Sequence, residues 1–312
     1  MIKTTMMDHC GYSNCIKLEN EDTRVILGQH CGGRVLEYSW RKKNVLYLDP
    51  AHDGWVYKPG QPTVDISGGR FDIGPEQIIP PHTDLWLGGW TADSIAPGVA
   101  RMTSAEDAAT GTQLVREFEL AENSSRLTCT QRIRNISGQP INWCHWSRTF
   151  AKGRGICIVP LSEHSRFPMG YVQYEGPDIL NFAPQEPKVI RFSGCLIIDD
   201  APRFPKLGMD SYAGWIGYLL QNDMLFVKRF ETYPERVYNE IAGLTVSVWY
   251  PKDKMCEIEP IGPMETLLPG EIAQFTEEWW ILPCPYHLPG SQKDVDEIFK
   301  LVAREAPVRQ VD

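Results

Sequence analysis

Glycine and proline interrupt this sequence at short, fairly even intervals. The 312 residues include 26 glycines and 24 prolines, spread from end to end. The runs between them are short and rich in Val, Ile, Leu, Trp, Tyr and Thr, as in Ile141 to Phe150 and Thr245 to Trp249. Short β-branched and aromatic runs bounded by turn residues are typical of antiparallel sandwiches or barrels, and not of alternating strands and helices. The sequence therefore predicts an all-β fold.

One stretch near the end of the chain has a helical pattern instead. Ser291 is a candidate N-cap with Asp294 three residues later, and apolar residues then recur at helical spacing. This pattern predicts a C-terminal helix over about 292–305, docked on the sheet. No internal repeat or low-complexity linker divides the chain. We therefore expect a single domain over 1–312, with a β-sandwich core over about 18–282.

Charge and composition exclude several classes of partner. The formal net charge of −9 disfavours a nucleic-acid backbone or an anionic membrane surface. No apolar run approaches the ~20 residues that cross a bilayer, and Met1 to His9 lack the apolar core of a signal peptide. The nine cysteines follow no metal-binding spacing and are typical of small buried side chains in a reducing compartment. We expect a cytoplasmic protein with no metal and no cofactor; the sequence sets no oligomeric state.

Two carboxylates alternate with apolar residues in the stretch Met255 to Pro263. Side chains two apart in an extended strand project from the same face, roughly 7 Å apart. Glu257 and Glu259 are therefore expected on one face of a strand. A pair of acids placed in this way can supply a general base and its neighbour. The competing interpretation is a half-exposed strand with a solvated acidic face.

Three further side chains are candidates for chemistry. Arg70 lies in a Gly-Gly-Arg run, His82 follows two prolines that restrict its backbone, and His145 lies between tryptophans in a strand-like run. Histidine titrates near neutral pH, and a Glu opposite a His is the minimal pair for moving a proton between two oxygens. For His145 a hydrogen-bonded core residue is the alternative. The G-x-S-x-G, H-E-x-x-H and P-loop motifs are absent from the sequence.

The segment 51–93 has weak strand signals and carries two tryptophans, Trp86 and Trp90. A long aromatic and polar loop region in a β protein is typical of a binding edge. Exposed indole rings there would offer flat faces for the apolar C–H face of a sugar. The alternative is that both rings plug one end of the sandwich.

Together these stretches resemble the galactose mutarotase (aldose 1-epimerase) superfamily. The likeness rests on four segments in the family's order: Val25 to Leu36, Ile133 to Ile141 followed by His145, Met255 to Pro260 and Leu268 to Glu271. It extends over roughly 18–282. The resemblance implies a β-supersandwich that binds a small-molecule carbohydrate on one face of a sheet.

The resemblance also implies an acid–base mechanism. In that family a Glu removes the proton from the anomeric hydroxyl and a His protonates the ring oxygen, so that the ring opens and recloses as the other anomer. His145 matches the acid and Glu259 the base. Glu257 is the alternative base, because the family's Cys-to-Glu spacing is one residue shorter than the spacing from Cys256 to Glu259.

The remaining roles follow from the same resemblance. Arg70 and His82 match the family's substrate-orienting Arg and its first His, and Asp210 stands for the Asp that holds the sugar hydroxyls. One departure is clear: the family's His-x-Tyr-Phe-Asn signature is replaced by His145-Trp146-Ser147-Arg148-Thr149-Phe150, so the Tyr-Phe-Asn is missing.

The sequence leaves three functions open. The first is an aldose 1-epimerase-like isomerase acting on a free sugar or sugar derivative. The second is a non-catalytic carbohydrate-binding protein that keeps the cleft and its tryptophans. The third is a lyase acting on an oligosaccharide, for which Arg236, Tyr238 and Asn239 would supply the base and the charge neutralisation.

Overall fold

Two antiparallel β-sheets make up most of the computed structural model, which describes residues 1–176, 179–252 and 254–307. Within those residues one sheet has 12 strands and the other has 10. Strands are numbered here along the chain. The expectation of an all-β sandwich is confirmed.

The larger sheet brings together strands that are far apart in sequence. In sheet order its strands are β1 (Lys3–His9), β2 (Tyr12–Glu19), β3 (Thr23–Gly28), β4 (Arg34–Trp40), β6 (Gly69–Gly74), β11 (Ile141–Lys152), β21 (Met255–Leu267), β20 (Val246–Lys252), β17 (Lys206–Met209), β13 (Val172–Gly176) and β14 (Ile179–Asn181), with β5 (Lys43–Asn44) paired to β4. The central strand β11 therefore pairs with β6 on one side and with β21 on the other.

The smaller sheet covers one face of the larger sheet. In sheet order its strands are β15 (Val189–Phe192), β16 (Cys195–Ile198), β12 (Ile156–Pro160), β18 (Trp215–Leu220), β19 (Met224–Phe230), β22 (Ile272–Pro283), β10 (Leu127–Asn135), β9 (Thr112–Leu120), β8 (Val99–Asp107) and β7 (Thr91–Ala96). The helical elements are α1 (Thr83–Trp86), α2 (Gln292–Glu305) and two 3-10 turns, Pro50–His52 and Ile241–Gly243.

The main hydrophobic core lies between the two sheets. Large side chains from both sheets, such as Tyr38, Phe118 and Trp279, are fully buried there. Cys256 and Ile258 of β21 belong to the same core. Because side chains alternate along a strand, the residues between them project from the other, outer face of the larger sheet. Glu257 and Glu259 of β21 therefore project from the outer face of the larger sheet.

A buried ion pair of the smaller sheet contacts the inner face of β11. Lys228 of β19 forms an ion pair with Glu277 of β22 at 3.1 Å, and neither side chain has any exposed surface. The Lys228 ammonium also donates to the hydroxyls of Ser147 at 2.9 Å and Thr149 at 3.1 Å. These contacts hold the inward-facing residues of β11, so the alternate side chain Arg148 is presented outward.

The C-terminal helix α2 confirms the prediction from its capping pattern. The Ser291 hydroxyl accepts from the backbone N–H of Asp294, and the Asp294 carboxylate accepts from the backbone N–H of Ser291. Val295, Ile298 and Val302 are buried in a second apolar cluster with side chains of the smaller sheet. Within the described residues, no helix combines the length and the apolar character that crossing a bilayer requires.

The nine cysteines all lie within the described residues and all are free thiols. Eight of them are buried, and Cys10 is half-buried. Burial raises the pKa of the Cys15 and Cys31 thiols to about 11. These side chains act as small apolar residues, in line with the sequence pattern.

Candidate functional site

A cleft of about 820 Å³ opens on the outer face of the larger sheet. The segment that includes α1 forms one wall, and strands β6, β11, β20, β17 and β13 supply the floor. The charged side chains that line it are Asp65, Arg70, Asp72, Glu76, His82, Arg148, Glu175 and Lys206. The aromatic side chains that line it are Trp86, Trp146, Tyr174, Phe204 and Trp249.

Strand alternation explains how β6 presents two charged residues to the cleft. Phe71 and Ile73 of β6 face the main core, so Arg70 and Asp72 project into the cleft. In the ladder with β11, Arg70 lies directly opposite Arg148. Arg70 and Asp72 of β6 therefore lie beside Arg148 of β11 in the cleft.

The two glutamates of β21 lie together beneath the cleft lining, which confirms that they share one face. Trp146 Nε1–H donates to Glu259 Oε2 at 2.6 Å. Arg148 Nε lies 3.3 Å from Glu257 Oε1 and 4.0 Å from Glu259 Oε2. Neither glutamate has exposed surface. Within the described part of the chain, Glu257 Oε2 and Glu259 Oε1 accept no hydrogen bond.

Burial and the neighbouring charge of Glu257 raise the pKa of the Glu259 carboxyl to about 7. Lys206 and Arg148 oppose this shift but do not cancel it. Desolvation disfavours the charged form of an acid, and a second nearby carboxylate adds to that effect. Glu259 is therefore a carboxyl that exchanges its proton near neutral pH, as a general base or acid requires.

Arg148 is the cation around which the acids of the site gather. Its guanidinium nitrogens lie 3.8 Å from Asp72, 3.7 Å from Glu76, 3.3 Å from Glu257 and 4.0 Å from Glu259. Burial favours loss of its proton, but the charges of Glu257 and Glu259 outweigh burial and raise the pKa of Arg148. The guanidinium thus stays charged and neutralises part of a strongly acidic cluster.

His82 is held by two hydrogen-bond acceptors. Its Nε2 lies 2.7 Å from Asp72 Oδ1, and its Nδ1 lies 2.8 Å from the carbonyl oxygen of Pro80. Two acceptors are satisfied together only when both ring nitrogens carry protons. Burial opposes the charged ring, but the hydrogen bond and charge of Asp72 outweigh burial and raise the pKa of His82. His82 is therefore poised as a proton donor.

Arg70 lines the cleft and packs against an indole ring. Its guanidinium carbon lies 4.8 Å from the ring centroid of Trp86, and its side chain is only 3% exposed. The nearest acid contacts are Asp65 at 3.4 Å and Glu257 at 4.0 Å. Among the described residues, Arg70 Nε and Nη1 make no hydrogen bond, although Nη1 forms the ion pair with Asp65. Both nitrogens are covered by protein atoms, so a ligand can reach them only if the lining moves.

No family model matches the sequence, and no curated protein matches it. Solved structures match in fold. A galactose mutarotase-like protein from Lactobacillus casei has a TM-score of 0.61 at 10% identity, covering 86% of this chain and 100% of that chain. A galactose mutarotase-like protein from Clostridium acetobutylicum has a TM-score of 0.54 at 14% identity, covering 91% and 98%. A protein from Escherichia coli K12, described as a candidate aldose 1-epimerase, has a TM-score of 0.59 at 12% identity, covering 90% and 99%.

This chain has the galactose mutarotase-like fold. The resemblance seen in short sequence motifs therefore extends to the architecture. Sequence identities of 10–14% to these three structures support the shared fold and not a shared activity. The roles of individual residues depend on the geometry of the cleft.

In this mutarotase-like fold His145 does not reach the cleft, which corrects its expected role as the acid. Its ring is fully buried between Phe71 and Phe275, with centroids 5.6 Å away on each side. Burial lowers the pKa of His145 to about 3. It faces the interior together with Ser147, so it is on the opposite face of the sheet from Glu259. The predicted pair of His145 and Glu259 is not formed. His145 is a core residue, but within the described residues neither ring nitrogen has a hydrogen-bond partner, so the alternative of a hydrogen-bonded core histidine fits in its burial only.

Two of the expected sugar-binding residues also lie elsewhere. Trp90 is 5% exposed, packs in the main core and donates from Nε1 to the carbonyl oxygen of Leu85 at 2.8 Å. Gly33 has φ +51°, and a Cβ there would lie 2.5 Å from the Trp90 ring. Asp210 is buried outside the cleft lining, where its carboxylate accepts from Ser165 Oγ at 2.6 Å. Trp90 is therefore part of the main core, and Asp210 holds the loop that contains Ser165.

The residues suggested for a lyase are not part of the cleft either. Arg236 forms two hydrogen bonds with the Glu265 carboxylate, at 3.0 and 2.8 Å. Tyr238 is buried, and its hydroxyl accepts from the backbone N–H of Tyr233 at 3.1 Å. Asn239 is likewise absent from the cleft lining.

Of the sequence-predicted residues, Arg70, His82 and Trp86 line the cleft, and Glu257 and Glu259 lie just beneath it. Sequence reasoning missed the remaining polar and aromatic lining, above all Asp72, Trp146, Arg148, Tyr174 and Lys206. For Arg148 a signal was present: an offset of three in a strand places it on the opposite face from His145. Within the described ranges, no cluster of three or more His, Cys, Asp or Glu side chains is arranged to hold a metal ion.

Proposed function

We propose that this protein binds a free sugar or sugar derivative in the cleft and interconverts its anomers, as an aldose 1-epimerase-like isomerase. The observation that carries the proposal is the pairing of two proton-transfer groups at one aromatic-walled cleft. One is Glu259, with a pKa of about 7, and the other is His82, held by Asp72. The structural neighbours named as mutarotase-like or as a candidate aldose 1-epimerase support the same reaction class.

In the proposed reaction Glu259 removes the proton from the anomeric hydroxyl. The electrons of that O–H bond form the carbonyl, the bond from the anomeric carbon to the ring oxygen breaks, and His82 gives its proton to that oxygen. Rotation about the adjacent carbon–carbon bond exposes the other face of the aldehyde. Ring closure then reverses both proton transfers and yields the other anomer. His82 takes the role first expected of His145, because the imidazole of His82 is the one that lines the cleft.

Access to Glu259 requires a movement of the side chains that lie against it. Glu259 has no exposed surface, and Trp146 and Arg148 contact its carboxylate. Arg148 makes the weaker contact with Glu259, at 4.0 Å against the 2.6 Å hydrogen bond from Trp146, so its displacement costs less of the interaction with that carboxylate. Sugar hydroxyls that accept from Arg148 can draw it away and open a path to Glu259 Oε1, which accepts no other hydrogen bond within the described residues.

The charge balance of the cleft favours an uncharged sugar. Lys206 Nζ lies 2.8 Å from Glu76 Oε2, and His82 is paired with Asp72. The four acids of the described lining are thus matched by three cations and a protonated His82, and Glu257 and Glu259 beneath the lining add negative charge. Hydroxyl groups, which both donate and accept, suit such a lining better than a ligand with a net charge.

Polarimetry or exchange NMR on a panel of aldoses tests the proposal. Glu259→Gln should lower kcat for anomer exchange about 100-fold or more, the usual contribution of a general acid–base group. Glu265→Gln is the matched control, because Glu265 lies on the same strand but pairs with Arg236 outside the cleft. An unchanged rate in Glu259→Gln would show that Glu259 is not the base.

A second candidate, a carbohydrate-binding protein without catalysis, is favoured by two observations. Glu257 and Glu259 are fully buried, and His145, the expected acid, lies in the core. This alternative predicts a calorimetric binding signal with no acceleration of anomer exchange. Trp86→Ala should then weaken binding, because the indole of Trp86 lines the cleft beside Arg70. Accelerated exchange by the wild-type protein would reject it.

A further inference from the structure

We infer that Trp146 is a positioning residue for Glu259: its indole N–H holds one oxygen of the carboxylate and leaves Oε1 as the oxygen that exchanges the proton. This inference rests on the proposed isomerase function and specifies how the base of that reaction is held. The contacts of the Glu259 carboxylate and the packing of the indole ring support it.

The two oxygens of the Glu259 carboxylate have different surroundings. Oε2 accepts from Trp146 Nε1–H at 2.6 Å and lies 4.0 Å from Arg148 Nε. Oε1 accepts no hydrogen bond within the described residues. An oxygen that already accepts a short hydrogen bond has a lone pair engaged, so the proton is taken more readily by the other oxygen. Oε1 is therefore the oxygen that gains and loses the proton.

The indole ring of Trp146 is fixed by close packing. It is 2% exposed and belongs to an apolar cluster with Phe167, Val172 and Leu244. The backbone of β6 also approaches the ring closely, since a Cβ at Gly74 would lie 2.9 Å from Trp146 Cε3. In a close-packed cluster a large ring cannot turn without displacing its neighbours. The direction of the Nε1–H bond is therefore constant.

Arg148, the other side chain against this carboxylate, is held differently. Among the described residues its guanidinium is shared with three further carboxylates, and its contact with Glu259 is the longest of the four. The proposed reaction moves Arg148 aside to open a path to Glu259. The hydrogen bond from Trp146 keeps the carboxylate in place during that movement. This matters because a misplacement of about 1 Å can cost about 100-fold in rate.

The indole N–H also acts on the ionisation of Glu259. The charged groups that act most strongly on this carboxyl come from four parts of the chain, namely Glu257 of β21, Lys206 of β17, Arg148 of β11 and Glu76 of the segment after β6. Trp146 adds an uncharged donor to these groups. A hydrogen bond to the charged form of an acid favours that form. Loss of the indole N–H should therefore raise the pKa of Glu259.

An NMR titration of the wild-type protein tests the hydrogen bond without an activity assay. The Trp146 indole N–H resonance should shift with a midpoint near pH 7 as Glu259 ionises, and should lose that midpoint in Glu259→Gln. It is assigned by its loss in Trp146→Phe or, should that variant not fold, by triple-resonance experiments on the wild type. The internal control is the indole N–H of Trp143, which donates to the Thr110 carbonyl oxygen outside the cleft at 2.9 Å and should not show this midpoint.

Anomer-exchange kinetics test the positioning role itself. Trp146→Phe keeps an aromatic ring and removes the N–H, so kcat should fall about tenfold while KM stays within about threefold. The rising limb of its pH profile should move up by about one pH unit. Trp143→Phe is the matched control, because it removes an indole hydrogen bond from the same strand and should leave kcat and the profile unchanged.

The outcomes that overturn the inference differ from those that overturn the proposed function. If exchange is accelerated but the Trp146 N–H has no midpoint near pH 7, or Trp146→Phe keeps the wild-type kcat and profile, the positioning role is refuted and the isomerase survives. If the wild type accelerates exchange of no aldose while the Trp146 N–H still titrates, the isomerase is rejected, and the role of Oε1 in that reaction is rejected with it.

Discussion

Arg148→Met removes the guanidinium shared by four carboxylates while keeping an unbranched side chain of similar length. The four acids lie 3.3–4.0 Å from its nitrogens. At ~4 Å the attraction between two unit charges is about 4 kcal/mol at an effective dielectric constant of ~20. Desolvation of the guanidinium offsets much of the summed attraction, so we expect a loss of about 3–5 kcal/mol in the free energy of unfolding, as for other broken buried pairs.

The loss of unfolding free energy in Arg148→Met should be larger at high pH than at low pH. Burial and Glu257 raise the pKa of Glu259 to about 7 even with Arg148 present, and removal of the cation will raise it further. Below pH 7 Glu259 takes up a proton and its repulsion of Glu257 disappears. The destabilisation should therefore be largest near pH 8 and clearly smaller near pH 5.

Urea unfolding at pH 5 and pH 8 measures this difference. Arg236→Met serves as the control: its partner Glu265 lies nearer the surface and the Arg236 side chain is 36% exposed, so we expect about 1 kcal/mol or less at either pH. The double variant Arg148→Met, Glu257→Gln should recover part of the loss at pH 8. Equal destabilisation of Arg148→Met at pH 5 and pH 8 would refute the electrostatic argument and leave lost packing as the cause.

Three further predictions concern the titrating groups of the site and the core. The pH profile of kcat/KM should have a limb that rises as Glu259 ionises near pH 7 and a limb that falls as His82 loses its proton, and Glu259→Gln should abolish the rising limb; a flat profile would argue against both roles. Asp72→Asn should lower the pKa of the His82 ring in an NMR titration, because the hydrogen bond and charge of Asp72 raise that pKa; an upward shift would contradict the pairing. His145 has a folded-state pKa of about 3 against an ordinary value of 6.5, so the unfolded state binds more protons between these values and stability falls as the pH drops through that window, by up to about 1.4 kcal/mol per pH unit. His145→Leu should flatten this part of the stability curve and leave anomer exchange within about twofold of wild type, whereas a 100-fold loss of exchange with the fold intact would restore His145 as the acid.

Much of the architecture could be predicted because it depends on short-range patterns. Turn residues between β-branched runs indicated the strands, and Ser291 with Asp294 marked the start of the C-terminal helix. The shared face of Glu257 and Glu259 followed from alternation alone, because successive side chains of an extended strand point to opposite sides. Each of these features involves neighbours in sequence, and no knowledge of packing is needed to read them.

The candidate site was predicted only in part, because alternation does not say which face of a strand meets the core. His145 and Arg148 lie on opposite faces of β11, and only the packing of the smaller sheet against one face decided that the histidine is buried and the arginine faces the cleft. The same holds for Trp86 and Trp90, which both lie in or beside one short helix: the first lines the cleft and the second seals the core.

The sequence by itself therefore determined the strand-rich class, the terminal helix and the pairing of two acids on one strand face, since local periodicity and capping specify these. Tertiary structure alone decided that β6, β11 and β21 lie side by side, and that Tyr174 and Lys206 line the same cleft. The physical reason is that strand order in a sheet depends on hydrogen bonds and burial between segments separated by up to about two hundred residues. No local pattern records those partners.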